Sequence, residues 1–114
     1  MTQARATRYA EETITVLPMS GELDLFSAAE VGLRIRRAER DRPDVLVLDL
    51  REVTFIDSTM LREIVGADVR ARREGRRIAV AADSEAVRRV FRITLLEWRL
   101  EVVDDPADVR ANAG

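Results

Sequence analysis

A short polar segment, Asp57-Ser58-Thr59, follows a run of apolar residues and precedes a helical pattern, so it places an acid beside two hydroxyl groups. The first N–H groups of a helix have no partner within the helix, and the helix dipole adds partial positive charge there. A phosphate on Ser58 is compatible with such a backbone, because a helix start is a natural anion site. The segment therefore predicts an exposed, modifiable serine in a switchable binding module.

Two further aspartates stand near the ends of predicted strands. Asp24 follows the second predicted strand, and Asp49 lies near the end of the central one. Since loops gather at the carboxyl ends of strands in α/β sheets, we expect Asp24 and Asp57 to flank Ser58. Taken singly, each acid is also explained as an ordinary turn or helix-cap residue, and Asp49 as the acceptor for a loop amide.

Hydrophobic patterning indicates which elements hold this segment. Strands are predicted at residues 13–17, 19–23, 44–50, 78–82 and 100–103. Helices are predicted from Ser27, from Ser58 to Glu74 before Gly75, from Asp83 or Ser84, and over residues 108–113. The first two strands form a hairpin in this prediction, and helices connect the later strands in parallel. The order predicts an α/β fold with a mixed, mostly parallel sheet of about five strands, an N-terminal hairpin and three to four helices.

Several local signals refine these helices. Ser27-Ala28-Ala29-Glu30 has the spacing of a capping box at the start of the first helix. The apolar side of the second helix is predicted to contain Leu61, Ile64, Val65 and Val69. Asp68 falls within that stripe, where an ion pair with Arg72 or presentation to a partner would explain an acid. The aromatic residues expected in the core or at its rim are Phe26, Phe91 and Trp98.

The composition limits the classes of function. The 114 residues suffice for one domain, predicted at 12–114 after a flexible N-terminal arm at 1–11. The 19 basic residues, all arginine, are interspersed with 21 acids for a net charge of −2, which argues against a nucleic-acid surface. Because no apolar stretch has the length of a membrane span or the form of a signal peptide, we expect a cytoplasmic protein without a membrane partner.

Catalysis is disfavoured by the residue types that the chain lacks. It contains no cysteine and no histidine, so it has no thiolate, no disulfide and no imidazole base. A serine hydrolase built on Ser58 would lack both the activating histidine and the Gly-x-Ser-x-Gly turn. No P-loop pattern supports nucleotide binding. We therefore expect no enzyme activity, no catalytic residue, no cofactor and no metal site.

Four segments together resemble the landmarks of the STAS domain (sulphate transporter and anti-sigma factor antagonist) over about residues 12–105. They are Gly21-Glu22-Leu23-Asp24, Val47-Leu48-Asp49-Leu50, Phe55-Ile56-Asp57-Ser58-Thr59 with Leu61, and Gly75 before a strand. The most specific family motif is Asp-Ser-Ser/Thr-Gly-Leu, and four of its five positions agree here. The departure is Met60, which stands where the family usually has glycine.

The resemblance implies an anti-sigma factor antagonist. Such a protein binds an anti-sigma factor serine kinase and thereby releases a sigma factor. The kinase then phosphorylates the serine that corresponds to Ser58, and a PP2C-type phosphatase removes the phosphate. The predicted partner-binding residues are Asp24, Thr54, Asp57, Ser58, Thr59, Met60 and Arg62. Formation of a homodimer stays open.

Met60 leaves two interpretations of the site. Its side chain either extends the core stripe of the helix or forms an exposed apolar anchor that specifies a partner. The second interpretation favours an alternative function, an unphosphorylated STAS scaffold subunit of a stress-sensing or lipid-transport assembly.

Overall fold

The computed structural model, which describes residues 4–9 and 12–109, opens with two strands and then alternates helices with strands. The strands are β1 (Arg5–Tyr9), β2 (Glu12–Leu23), β3 (Val45–Ile56), β4 (Arg77–Ala81) and β5 (Glu101–Val103). The α-helices are α1 (Ala28–Glu39), α2 (Ser58–Arg73) and α3 (Glu85–Ile93), and 3-10 helices cover Leu96–Trp98 and Pro106–Asp108. The sheet order is β1-β2-β3-β4-β5, with β1 antiparallel to β2 and every later neighbour parallel. The predicted α/β fold is confirmed.

Buried apolar residues cover both faces of β3. Residues 45–50 are all buried, which explains their nearly continuous apolar sequence, because a central parallel strand has no wet face. Leu46 and Leu48 belong to the larger cluster, which includes the apolar sides of the three α-helices. Val45 and Val47 belong to a smaller cluster on the opposite face. The main core therefore lies between the sheet and the helices and fixes the position of α2.

The N-terminal hairpin consists of other strands than predicted. The two short strands predicted around Pro18 are one strand, β2, and its antiparallel partner is β1. Pro18 is tolerated because β1 pairs with β2 only as far as Val16 among the described residues, and the register with β3 shifts after Pro18. The part of the predicted arm at Arg5–Tyr9 is therefore a strand. Residues 1–3, 10 and 11 lie outside the described ones.

The turn before α1 replaces the predicted capping box. The hydroxyl of Ser27 accepts a hydrogen bond from the N–H of Asp24 at 2.9 Å and makes no side-chain cap on the helix. The carboxylate of Asp24 instead accepts from the N–H groups of Phe26 at 2.9 Å and Ser27 at 3.2 Å. Ser27 cannot act as predicted because its backbone is already helical, whereas a capping residue has an extended backbone.

The aromatic residues divide between the core and the surface. Phe91 is fully buried as predicted, but Phe26 is 93% exposed and Trp98 is 84% exposed. Phe26 lies in the β2–α1 turn and Trp98 in a 3-10 helix, so neither belongs to the core-facing side of an α-helix or strand. Of the helix predicted at 108–113, the structure describes only residues 108 and 109, and the 3-10 helix Pro106–Asp108 ends at the first of them; residues 110–113 lie outside the described ones. No helix among residues 4–9 and 12–109 has the length and apolarity needed to cross a membrane.

Candidate functional site

Ser58 is the first residue of α2 and its side chain is exposed. The helix cap is supplied by the preceding residue, Asp57, whose backbone is extended and whose Oδ1 accepts from the N–H of Met60 at 3.1 Å. Because Asp57 is the N-cap of α2, the hydroxyl of Ser58 is not needed for capping. The structure therefore presents this hydroxyl to solvent at the positive end of a 16-residue helix.

Asp57 also holds the β2–α1 turn against the start of α2. Its Oδ2 accepts from the N–H of Leu25 at 3.1 Å, and its own N–H donates to the carbonyl of Leu23 at 3.1 Å. The parallel register pairs Leu23 with Ile56, so Asp24 and Asp57 follow their strands at the same end of the sheet. The two acids thus lie on the side of the sheet where Ser58 begins α2.

The other predicted partner-binding residues occupy different environments. Thr54 is exposed and lies on β3, which continues to Ile56 beyond the strand end predicted at residue 50. Thr59 is half-buried, and Arg62 is exposed one turn after Ser58. These residues belong to the same end of β3 and the first turns of α2.

Met60 lies outside the surface that it was predicted to join. Its side chain is fully buried in the main core, on the same side of α2 as Ile64, Ala67 and Ala71. Of the two interpretations of Met60, extension of the core stripe is confirmed, whereas the exposed anchor, and with it the placement of Met60 among the partner-binding residues, is wrong. The buried side of α2 is turned by about one residue from the predicted one, which leaves Leu61, Val65 and Val69 half-buried.

Asp49 belongs to a separate ion pair. It is buried near the middle of β3, where its carboxylate accepts from Nε and Nη2 of Arg51, each at 2.9 Å. This hydrogen bonding raises the pKa of Arg51 above its usual value. The backbone N–H of Arg51 also donates to Asp49, at 3.2 Å, as expected for an acceptor of a local amide. Asp49 is therefore a structural residue away from Ser58.

Apolar side chains near Ser58 form a feature that sequence reasoning missed. Leu25 and Phe26 are exposed in the turn bound to Asp57, and Phe55 is exposed near the end of β3. A groove of about 470 Å³ adjoins the serine and is lined by Ser58, Leu61, Arg62, Val65, Gly66, Thr94 and Leu96. The sequence signal for this feature is the apolar dipeptide Leu25-Phe26 between a predicted strand and a predicted helix. Because a turn has no core-facing side, apolar residues in it tend to be exposed.

Replacement of Asp57 by alanine is expected to lower the free energy of unfolding by about 1–2 kcal/mol, because α2 loses its cap. The N–H of Leu25 loses its acceptor in the same variant. Asp57→Asn is the matched control, since an amide oxygen can still accept from Met60, and it is expected to retain most of that stability. Urea denaturation of both variants measures the difference, and equal losses would contradict the capping role.

The fold and this site define a small α/β domain with a serine exposed at the start of a helix. The sequence model of the STAS domain matches residues 5–108, and the chain belongs to the STAS domain family.

Relatives and solved structures agree with this assignment. The chain is 29% identical over 94 residues to the anti-sigma-B factor antagonist of Listeria monocytogenes, with 82% of each chain covered. An anti-sigma factor antagonist from Mycobacterium paratuberculosis has the same fold, with a TM-score of 0.79, 24% identity, and coverage of 93% of this chain and 88% of that one. The phosphorylated Bacillus cell fate determinant SpoIIAA also has it, with a TM-score of 0.62, 18% identity, and coverage of 88% and 90%.

Proposed function

We propose that this protein is an anti-sigma factor antagonist that acts in the cytoplasm. It binds an anti-sigma factor serine kinase, so that a sigma factor is released, and phosphorylation of Ser58 by the kinase ends the binding. The observation that carries the proposal is the exposed hydroxyl of Ser58 at the start of α2, where Asp57 already supplies the cap. The relative from Listeria monocytogenes, which carries the name of such an antagonist, supports it.

The charges around Ser58 provide a physical basis for the switch. A phosphoserine adds about −1.5 to −2 charges, and the helix start tolerates them in the free protein. In a docked complex the same phosphate would lose its water and be repelled by the carboxylates of Asp24 and Asp57. We expect binding to weaken about a hundredfold, without any need for the domain to refold.

The proposed binding surface is centred on Ser58. Beside that serine it comprises Asp24, Thr54, Asp57, Thr59 and Arg62, which belong to one end of the sheet and the first turns of α2. A PP2C-type phosphatase resets the protein by removing the phosphate. The Bacillus protein of this fold, solved in a phosphorylated form, supports a phosphorylated state for the domain.

In the decisive experiment, the purified protein is incubated with ATP and each anti-sigma factor kinase encoded in the source genome. Mass spectrometry is expected to find one added phosphate on Ser58, and calorimetric titration is expected to show about hundredfold weaker binding of the modified form. Ser58→Ala should bind without gaining phosphate. Thr7→Val, which removes an exposed hydroxyl from β1 outside the proposed surface, is the matched control and should be modified normally. Phosphate recovered only at Thr59 or Ser84 would remove Ser58 from the mechanism.

The scaffold alternative loses the observation that favoured it. Met60 favours an unphosphorylated subunit of a stress-sensing or lipid-transport assembly only if its side chain lies on the surface beside Ser58. Since Met60 is buried, its side chain does not alter the surface that a kinase would contact. Binding to a kinase without phosphate transfer is the result that would restore this alternative.

A further inference from the structure

The groove beside Ser58 is an apolar depression between α2 and the segment that follows α3. Its walls are formed mainly by Leu61 and Val65 from α2 and Leu96 from the 3-10 helix, while Ser58 lies among its lining residues. Leu95, next to this wall, is 64% exposed and has a left-handed backbone with φ of 61°. That conformation is unusual for leucine and is retained only where the surrounding structure imposes it.

Gly66 lines the groove from the middle of α2, where a glycine is unfavourable. Glycine inside a helix costs stability relative to alanine because its backbone loses more freedom on folding. Packing gives no reason for it, since a Cβ at Gly66 would meet only the guanidinium of Arg70 at 3.4 Å, an ordinary contact with a flexible side chain. Gly32 of α1 differs, because a Cβ there would lie 3.1 Å from the carboxylate of Glu63. Glycine at position 66 therefore leaves this part of the groove lining without a side chain.

The electrostatics of the groove indicate the chemistry of its occupant. Among its lining residues within the described part of the chain, the charged one is Arg62, which is exposed. No described residue forms an ion pair with it. The other walls offer mainly apolar surface. An occupant that matches both features carries an apolar side chain for the groove and a carboxylate for the guanidinium.

We propose that the groove receives an apolar side chain of the anti-sigma partner, flanked by an acidic residue that pairs with Arg62. The proposal rests on the proposed function and extends it by naming a second anchor beside the phosphorylation site. Because Ser58 also lines the groove, an apolar side chain seated there would hold the serine at a fixed distance from the partner. A phosphate on Ser58 would then place charge at the edge of an apolar contact, where its desolvation is most costly.

Filling the groove tests the proposal. In Gly66→Leu the new side chain occupies the space intended for the partner, so calorimetric titration with the kinase that binds wild type should show affinity reduced roughly thirtyfold or more. Gly66→Gln, which fills the same space with a polar chain, is a second variant and should behave alike. Gly66→Ala should lose much less affinity while its melting temperature rises, because alanine favours the helix. Arg37→Leu, which adds an apolar side chain on the exposed side of α1, should bind as wild type.

Arg62→Met separates the charged anchor from the apolar one. It retains the apolar stem of the side chain and is expected to weaken binding several-fold and to flatten its dependence on salt, because an ion pair at the rim is screened. An unchanged salt dependence would contradict the acidic flank. Wild-type affinity in Gly66→Leu and Gly66→Gln would show that the groove stays empty, which overturns this inference and leaves the proposed function standing. If wild type binds none of the kinases, the proposed function fails and this inference fails with it.

Discussion

Replacement of Met60 by glycine is expected to lower the free energy of unfolding by about 3–6 kcal/mol. The side chain of Met60 is fully buried in the main core, so its removal leaves a cavity between α2 and the sheet. Glycine in the first turn of α2 increases the cost further, because its backbone has more freedom to lose when the chain folds. Since domains of this size have unfolding free energies of about 5–15 kcal/mol, the variant should unfold at much lower urea concentration.

Met60→Leu is the control for this prediction, because it conserves volume and should cost less than about 1.5 kcal/mol. It should also gain phosphate on Ser58 at the wild-type rate, since the surface beside Ser58 is unchanged. A loss below about 1 kcal/mol in Met60→Gly would mean that the core closes around the missing side chain. The glycine variant matches the usual family motif in sequence, but the main core of this protein packs against the methionine side chain.

The parts of the fold that were predicted correctly are those with strong local signals. The uninterrupted apolar run at residues 45–50 indicated a strand covered on both faces, and β3 is covered in that way. Gly75 marked the end of α2, and its backbone is left-handed with φ of 72°. Ser84 was one of two predicted caps for α3, and its side chain accepts from the N–H of Val87 at 3.2 Å. Each signal involves neighbours within a few residues along the chain.

The errors arose where distant residues decide the structure. Arg5–Tyr9 has no apolar alternation because its side chains at 5–8 are exposed, so only pairing with β2 makes it a strand. Pro18 is typical of a strand end, but no described residue of β1 pairs with it, and a strand tolerates proline at such an edge position. The predicted capping box at Ser27 does not form, because Asp24 organises the turn before α1. Asp57 holds this turn in place by accepting a hydrogen bond from the N–H of Leu25.

The sequence indicates which residues form the candidate site, but it does not indicate the shape of the surface around them. Exposure of Ser58 and the placement of Asp24 and Asp57 at one end of the sheet follow from strand ends and a helix start, which sequence patterns reveal. The burial of Met60 was ambiguous, because rotating the buried side of a helix by about one residue exchanges core and surface positions. The groove at Gly66 depends on the approach of the segment after α3, which no local pattern indicates.

The carboxylate of Asp68 is buried on the core-facing side of α2 and is held by two arginines. Its residue is 2% exposed, and its Oδ2 lies 3.0 Å from Nε of Arg72 and 2.8 Å from Nε of Arg99. Arg72 also donates to the carbonyl of Arg99 at 2.6 Å. The ion pair with Arg72 is the contact predicted from the sequence, while Arg99, which precedes β5, was not foreseen.

The double substitution Arg72→Met/Arg99→Met is expected to lower the free energy of unfolding by about 3–5 kcal/mol, because it leaves the buried carboxylate of Asp68 without a partner. Each single substitution should cost only about 1 kcal/mol, since both arginines are partly exposed and the remaining one still pairs with Asp68. The excess of the double over the sum of the singles measures the cost of the unpaired charge. Adding Asp68→Leu to the double variant should restore most of the stability, because an apolar side chain of similar volume requires no partner. Urea denaturation of the five proteins decides the matter, and a double variant whose loss equals the sum of the singles would show that water, not the arginines, solvates this carboxylate.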